Sequence, residues 1–367
     1  MSDNQINRRE FVGGAVALAG GAATLDAAAS RQPSRRSILN FNERMEYRPL
    51  GKTGLMVSAV CMGGHWKRIK TMIDPSFDGC GYCKADFTNL NHPGFIKNRH
   101  EVVSHAIESG INYIDACTTE EVLAYSRALK GRRDKMYLGC SWYQKEPRNK
   151  EYRTVAKLME TLDTGLKDAG LEYADIWRMT LPQDGLPDLA ELQRIEEALV
   201  GALEKAKKAG KIRFGGLSTH NRPWLKSMIE TYPKQIEVIC TPYTASSKEL
   251  PGDSVFTAIR KHKVGVFGIK PFADNSLFKG DSSPSSPTRE EDDRRARLAI
   301  RYILGNPAIT APIPGLISRQ QVDNVVLAVR ERRQLDEKEK AELDQIGKEM
   351  WANLRPGYQW LKNWEYV

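Results

Sequence analysis

From about residue 57 to residue 330 the chain repeats one pattern, a short apolar run ending in polar residues followed by a longer stretch of helical period. The apolar runs fall at residues 57–62, 111–115, 135–141, 174–180, 212–218, 237–243, 264–272 and 309–315. Each is short enough to be a strand buried on both faces. Between them, residues 120–130, 152–169, 189–209, 222–231, 254–261, 294–304 and 319–330 place apolar side chains three and four apart, as does the stretch after Asn98 that carries Val102, Val103, Ala106 and Ile107. That spacing predicts amphipathic helices. Strands alternating with helices over about 270 residues predict an α/β protein, a single (β/α)8 TIM barrel spanning residues 45–349.

Features outside this repeat frame it. Alternating runs on either side of Gly51-Lys52-Thr53-Gly54 predict an N-terminal β-hairpin. A further helix is expected over 336–351, and an aromatic C-terminal tail occupies 350–367, with Trp351, Tyr358, Trp360, Trp364 and Tyr366 in or beside it. Clustered aromatics of this kind either pack across the barrel mouth or present a contact surface to a partner. The Ser/Pro/Asp-rich stretch at 279–293 reads as disordered.

The N-terminus reads as an address. Asn7-Arg8-Arg9-Glu10-Phe11-Val12 resembles a twin-arginine signal, a Gly/Ala-rich apolar stretch follows, and Ala27-Ala28-Ala29 supplies a cleavage site. Residues 1–29 are therefore expected to be a signal peptide and 30–44 a polar linker. The folded chain is expected to be exported by that route to the periplasm or another extracytoplasmic space. The apolar stretch is too short and too rich in glycine for a membrane anchor.

Composition narrows the partners. Lys and Arg total 55 against 46 Asp and Glu, a net charge of +9, in a chain that is 41% hydrophobic. The basic residues are interspersed with acidic ones along helices, with no basic arm or stripe, so no nucleic-acid partner is expected. A small-molecule substrate fits better, and the sequence leaves the oligomeric state open. Cys80-Gly81-Tyr82-Cys83 lies in a long connection, with His92 downstream. A second such pair is missing, so a disulfide or two thiols is the expectation and no metal site is assigned. Cys61, Cys117, Cys140 and Cys240 lie in or just after apolar runs and read as small buried side chains.

In a barrel of this kind function gathers at the C-terminal strand ends. Here those ends supply His65, Asp115, Ser141, Thr180, Ser218-Thr219-His220, Tyr243, Lys270 and the loop after Gly315, a polar set suited to a binding site.

The segments YRPLGKTGLMVSAVCMGG, INYIDA, ALKGRRDK, ADIWRM, GKIRFGGLSTHN, VGVFGIKPF and APIPG together resemble the aldo-keto reductase family, over roughly residues 45–343. The resemblance implies the barrel, an NADP cofactor and oxidoreductase chemistry on a carbonyl or sugar-type substrate. In the family a Tyr donates a proton, a Lys paired with an Asp lowers its pKa, and a His orients the substrate. Asp115 matches the Asp, while the Lys position is Ser141 and the His position is Thr180. The loop after Asp115 is shortened, so the Tyr is deleted or replaced at Thr119 or Glu120. The sequence accordingly proposes Asp115 and Glu120 as catalytic groups, although Thr118, Glu120 and Glu121 also read as a helix cap with a T-x-x-E box. For the cofactor, the resemblance points to His65 and Trp66 after the first strand, Ser218 and Thr219 at the carboxamide, and Tyr243 after the sixth strand. It places Lys270, Pro271 and Phe272 at the pyrophosphate, and Gly315, Ser318, Arg319 and Asn324 at the adenosine phosphate. The alternative function is a catalytically degenerate barrel that binds a small ligand or a protein.

Overall fold

The structure, a computed structural model, describes residues 38–73, 77, 90–182 and 187–367. The signal segment, most of the linker, and Cys80 and Cys83 lie outside these residues. Among the described residues no helix is long and apolar enough to cross a membrane.

A hairpin of β1 (Tyr47–Pro49) and β2 (Met56–Ser58) precedes the barrel. The barrel sheet then runs in sequence order, all parallel, through seven strands. These are β3 (Tyr113–Ala116), β4 (Tyr137–Cys140), β5 (Ala174–Thr180), β6 (Ile212–Ser218), β7 (Val238–Pro242), β8 (Gly265–Ile269) and β9 (Ala311–Pro312). Residues 61–63 close the ring. On one side the Cys61 and Gly63 amides donate to the carbonyls of Pro312 and Pro314 at 3.1 and 2.8 Å. On the other, the Met62 amide donates to the Tyr113 carbonyl at 3.0 Å and the Asp115 amide to the Met62 carbonyl at 2.8 Å. The run expected as one first strand is thus divided. Residues 56–58 stay in the hairpin because the Ser58 amide is held by Asn112 Oδ1 at 2.8 Å and the Ser58 hydroxyl donates to the Val60 carbonyl, turning the chain before Cys61.

The helices α1 (Pro93–Glu108), α2 (Thr119–Ala128), α3 (Val155–Ala169), α4 (Leu189–Lys208), α5 (Arg222–Thr231), α6 (Val255–His262), α7 (Arg289–Gly305) and α8 (Arg319–Arg330) surround the sheet, followed by α9 (Glu337–Ala352). Side-chain caps start most of them, including Thr118, Thr154, Asn221 and Ser318. Each satisfies an amide that the helix itself leaves open. His92, downstream of the Cys80–Cys83 pair, is the cap of α1, its Nδ1 accepting from the Gly94 amide at 3.1 Å. Period two along the strands divides the core. Tyr113, Ile176, Val238 and Phe267 fill the barrel, with Tyr113 and Phe267 stacked at 4.1 Å, and Leu50 of the hairpin plugs the base. Ile114, Trp177, Met179 and Ile239 face the helices.

One expectation is corrected. The stretch 279–293 is folded, because the Asp292 carboxylate accepts the Lys279 and Gly280 amides at 2.8 and 2.9 Å and so pins this loop to the first turn of α7. The helix accordingly begins at Arg289, not 294.

At the seam, a Cβ on Gly63 would lie 2.4 Å from the Ile313 carbonyl oxygen, a contact that backbone on both sides cannot relieve. Gly63→Ala is expected to destabilise the protein by about 1–3 kcal/mol, read as a lower midpoint in urea unfolding. Gly305→Ala, whose Cβ would meet nothing within 4 Å, is expected to leave the midpoint unchanged or slightly raised.

Candidate active site

A cleft of about 540 Å³ opens at the C-terminal ends of the strands, with Asp115 on its floor and the start of α8 on its rim. Asp115 is buried in the barrel, and its charge is met by Arg178 from β5. The guanidinium binds the carboxylate through both faces, Nε to Oδ1 at 2.7 Å and Nη2 to Oδ2, while the Tyr113 hydroxyl donates to Oδ1 at 3.2 Å. Burial opposes a charged Arg178, and Asp115 outweighs burial and holds it protonated. Arg178 is the cationic partner the sequence reading lacked. The signal was present: alternation along ADIWRMT puts Arg178 on the same face as Ile176 and Thr180, inside the barrel.

Above this pair stands a second cluster. Glu121, 2% exposed, reaches from α2 under the loop that follows the seam. Its Oε1 accepts the His65 amide at 2.5 Å and pairs with His65 Nδ1 at 2.7 Å, and its Oε2 accepts the Cys117 amide at 2.8 Å. Cys117 Sγ lies 3.5 and 3.7 Å from the two ring nitrogens of His65. Burial works against a charged imidazole, yet the Cys117 sulfur and the Glu121 carboxylate outweigh it and carry the His65 pKa up to about 9. His65 holds a left-handed backbone with φ of 56°, a conformation uncommon outside glycine. Gly64 makes the approach possible, since a Cβ there would lie 2.0 Å from the Glu121 carboxyl carbon. The cap reading was half the answer. Thr118 does accept the Glu121 amide, but the Glu121 side chain turns into the cleft instead of back to the cap. Glu120, proposed above as an acid, does not line the cleft; helical rotation by one residue carries its carboxyl off the lining that Glu121 joins.

Ser141 and Thr180, at the family's Lys and His positions, are committed to a buried carboxylate. Glu146 accepts from the Ser141 hydroxyl at 2.6 Å, the Trp142 and Thr180 amides at 2.8 and 2.7 Å, and Trp177 Nε1 at 3.0 Å. Burial raises the Glu146 pKa, and these donors oppose it.

The residues proposed for the cofactor divide. His65, Ser218, Lys270, Pro271, Phe272, Gly315, Ser318 and Asn324 line the cleft. Thr219 is buried beside it, donating to the Pro182 carbonyl and accepting from the Asn221 amide. Arg319 is exposed at the start of α8 and is not part of the lining; Arg289 of α7 is. Tyr243 is the clearest correction. Period two along β7 sets it on the helix side with Ile239, where it packs against Phe256 and accepts from Asn306 Nδ2 at 3.2 Å. The aromatic surface in the cleft comes instead from the tail. Trp360 stacks on His220 with ring centroids 3.6 Å apart, and Trp364 Nε1 donates to the His220 carbonyl. Lys67 Nζ donates to the Tyr358 hydroxyl at 2.6 Å and pairs with Asp274. Burial, with the Lys270 and Arg148 charges nearby, pushes the His220 pKa down to about 2 and keeps it neutral. The loop after β8 is shaped by left-handed residues, Lys270, Ala273, Asp274 and Asn275, of which Lys270, Asp274 and Asn275 line the cleft.

Removing one member of the buried pair leaves the other without a countercharge. Arg178→Leu is expected to cost about 3–5 kcal/mol, measured by denaturant unfolding. Arg178→Leu combined with Asp115→Leu is expected to recover most of that loss.

Comparison with known proteins agrees with this architecture. Aldo-keto reductase yakc (NADP(+)) of Schizosaccharomyces pombe is 26% identical over 212 residues, 55% of this chain and 59% of that protein. L-galactose dehydrogenase of Arabidopsis thaliana is 24% identical over 317 residues, 80% of this chain and 90% of the relative. Among solved structures, the holo form of aldo-keto reductase AKR11C1 from Bacillus halodurans superposes with a TM-score of 0.58 at 21% identity, covering 82% of this chain and 96% of that one. An aldo/keto reductase from Klebsiella pneumoniae in complex with NADP and acetate gives 0.60 at 18% identity, covering 82% and 95%. Residues 97–297, more than half of the sequence, match the aldo/keto reductase family as a whole, and the chain belongs to that family.

Proposed function

We propose that this protein is an NADP-dependent oxidoreductase acting on a carbonyl or sugar-type substrate with altered proton-handling residues. The observation that carries the reading is the cleft, which joins the buried Asp115 to the start of α8. Its residues fit a dinucleotide. Lys270 and Arg289 supply cations for phosphate, and Ser318 caps α8, whose N-terminal amides favour an anion. Gly315 lets the rim loop pack directly on the loop after the seam, since a Cβ there would lie 2.4 Å from the Gly64 carbonyl oxygen. Ser218, at the end of β6, offers a hydroxyl to the nicotinamide end. The names of the S. pombe and K. pneumoniae relatives, which mention NADP, support the same choice.

The bound nucleotide supplies hydride exchange with a carbonyl carbon. This chain's residues orient the substrate and manage charge. Arg178 holds Asp115 in place through paired hydrogen bonds, Tyr113 orients it, and Trp360 on His220 gives a flat apolar wall that excludes water from one side. A second reading, a ligand-binding barrel without turnover, is favoured by the commitment of the Ser141 hydroxyl, at the family's Lys position, to Glu146. The twin-arginine pattern further supports export of the folded chain, testable by a tagged chain whose periplasmic form loses its first 29 or so residues.

NADPH is expected to bind saturably, seen as a change in its fluorescence, and Lys270→Ala is expected to weaken binding on the order of 10–100-fold, as the loss of a charge-assisted contact. Oxidation of bound NADPH by a panel of aldehydes, ketones and aldoses then separates the two readings. Binding with turnover supports the oxidoreductase, binding without turnover supports the second reading, and no binding of nucleotide contradicts the first.

A further inference from the structure

His65, Cys117 and Glu121 converge at the mouth of the barrel. Each offers one ligand atom, and these atoms all lie within 4.8 Å of one another. We infer that the three are the protein ligands of a divalent transition metal of the zinc class, bound at the mouth of the barrel with an open coordination position facing the cleft.

A tetrahedral zinc with bonds of about 2.0 Å to N and O and 2.3 Å to S spaces its ligand atoms about 3.3–3.7 Å apart. The Sγ to Nδ1 distance of 3.5 Å already meets this, and the Nδ1 to Oε1 distance of 2.7 Å needs a widening of well under 1 Å. A cation inserted between these two atoms replaces the proton they now share.

The surroundings are those of a held ligand set. Glu121 is oriented by two backbone amides, of His65 and Cys117, so its carboxylate direction is fixed before anything binds. Gly64 gives it room, and the left-handed backbone of His65 turns the imidazole back over it. Mixed N, S and O donors suit zinc or cobalt and are a poor match for magnesium or calcium. Three protein ligands leave one position free, as in catalytic zinc sites. Two of the donors come from segments that the barrel closure joins, residue 65 just after the seam and residue 117 just after β3.

A plain ion pair between His65 and Glu121 explains two of the three residues. It gives no account of the sulfur set against both nitrogens. The expected occupant of the fourth position is a water or the oxygen of a carbonyl or hydroxyl group on the substrate; that last assignment rests on the oxidoreductase reading, whereas the metal site itself does not.

The test is cobalt binding to the purified, folded protein after removal of metal with a chelator. One Co²⁺ per chain is expected, with a thiolate-to-cobalt charge-transfer band that is lost in Cys117→Ser. Glu121→Gln and His65→Asn are expected to weaken binding at least tenfold while far-UV circular dichroism stays that of the parent. The inference is overturned if the folded chain retains neither cobalt nor zinc through gel filtration, or if the band persists in Cys117→Ser. NADPH fluorescence on the metal-free protein keeps the two ideas apart. Nucleotide binding without metal binding removes only the metal site, and metal binding without nucleotide binding removes only the oxidoreductase reading.

Discussion

The ring is closed by very little. Residues 61–63 pair on both sides, with β3 and with the end of β9, and everything at the mouth depends on where this short segment leaves the chain. Gly64 and His65 follow it directly, so closing the barrel also delivers the imidazole to Glu121 and Cys117. Gly63 fits against the Ile313 carbonyl for the same reason, because two backbones converge there with no space for a side chain. Fold and site therefore share one constraint, the hydrogen bonding of a seam three residues wide.

Inside the ring, charge is arranged unlike the pattern the family resemblance implied. The family pairs its strand-end Asp with a Lys from the next strand; here Asp115 meets Arg178 from the strand beyond that, and the vacated position, Ser141, serves Glu146. Two carboxylates thus lie buried near the floor, one balanced by a guanidinium and the other by four neutral donors. A buried charge is tolerated when it is paired or fully hydrogen-bonded, and each case is met here by a different device. The flat wall of the cleft has shifted, from a strand-end Tyr to Trp360 of the tail.

The repeating pattern was legible because burial on two faces and amphipathic helices leave strong periods, and the barrel follows from them. The cap at Thr118 was equally visible, since it answers to local chemistry. What the sequence obscured depends on direction. Glu120 and Glu121 differ by one position, and only the turn of α2 decides which enters the cleft. Tyr243 sits one residue beyond β7, where strand alternation sends it outward, although its place in the chain matches a position the resemblance assigns to the cofactor. The Ser/Pro/Asp stretch at 279–293 has a disordered composition, but the Asp292 carboxylate, through the Lys279 and Gly280 amides, and Arg68, through the Gly280 carbonyl and the Ser282 hydroxyl, hold it by contacts that no local pattern reveals. Arg178 was readable from alternation alone, once the strand was assigned.

The central claim is that this cleft holds NADP between the loop after β8 and the start of α8, with its reactive end over Asp115. Amide hydrogen exchange with and without NADP⁺ tests it most directly. The account predicts slowed exchange confined to residues 269–276 and 315–321 and to the strand ends around Ser218. Unchanged exchange in these segments at saturating nucleotide, or protection on the opposite, hairpin end of the barrel, would contradict it.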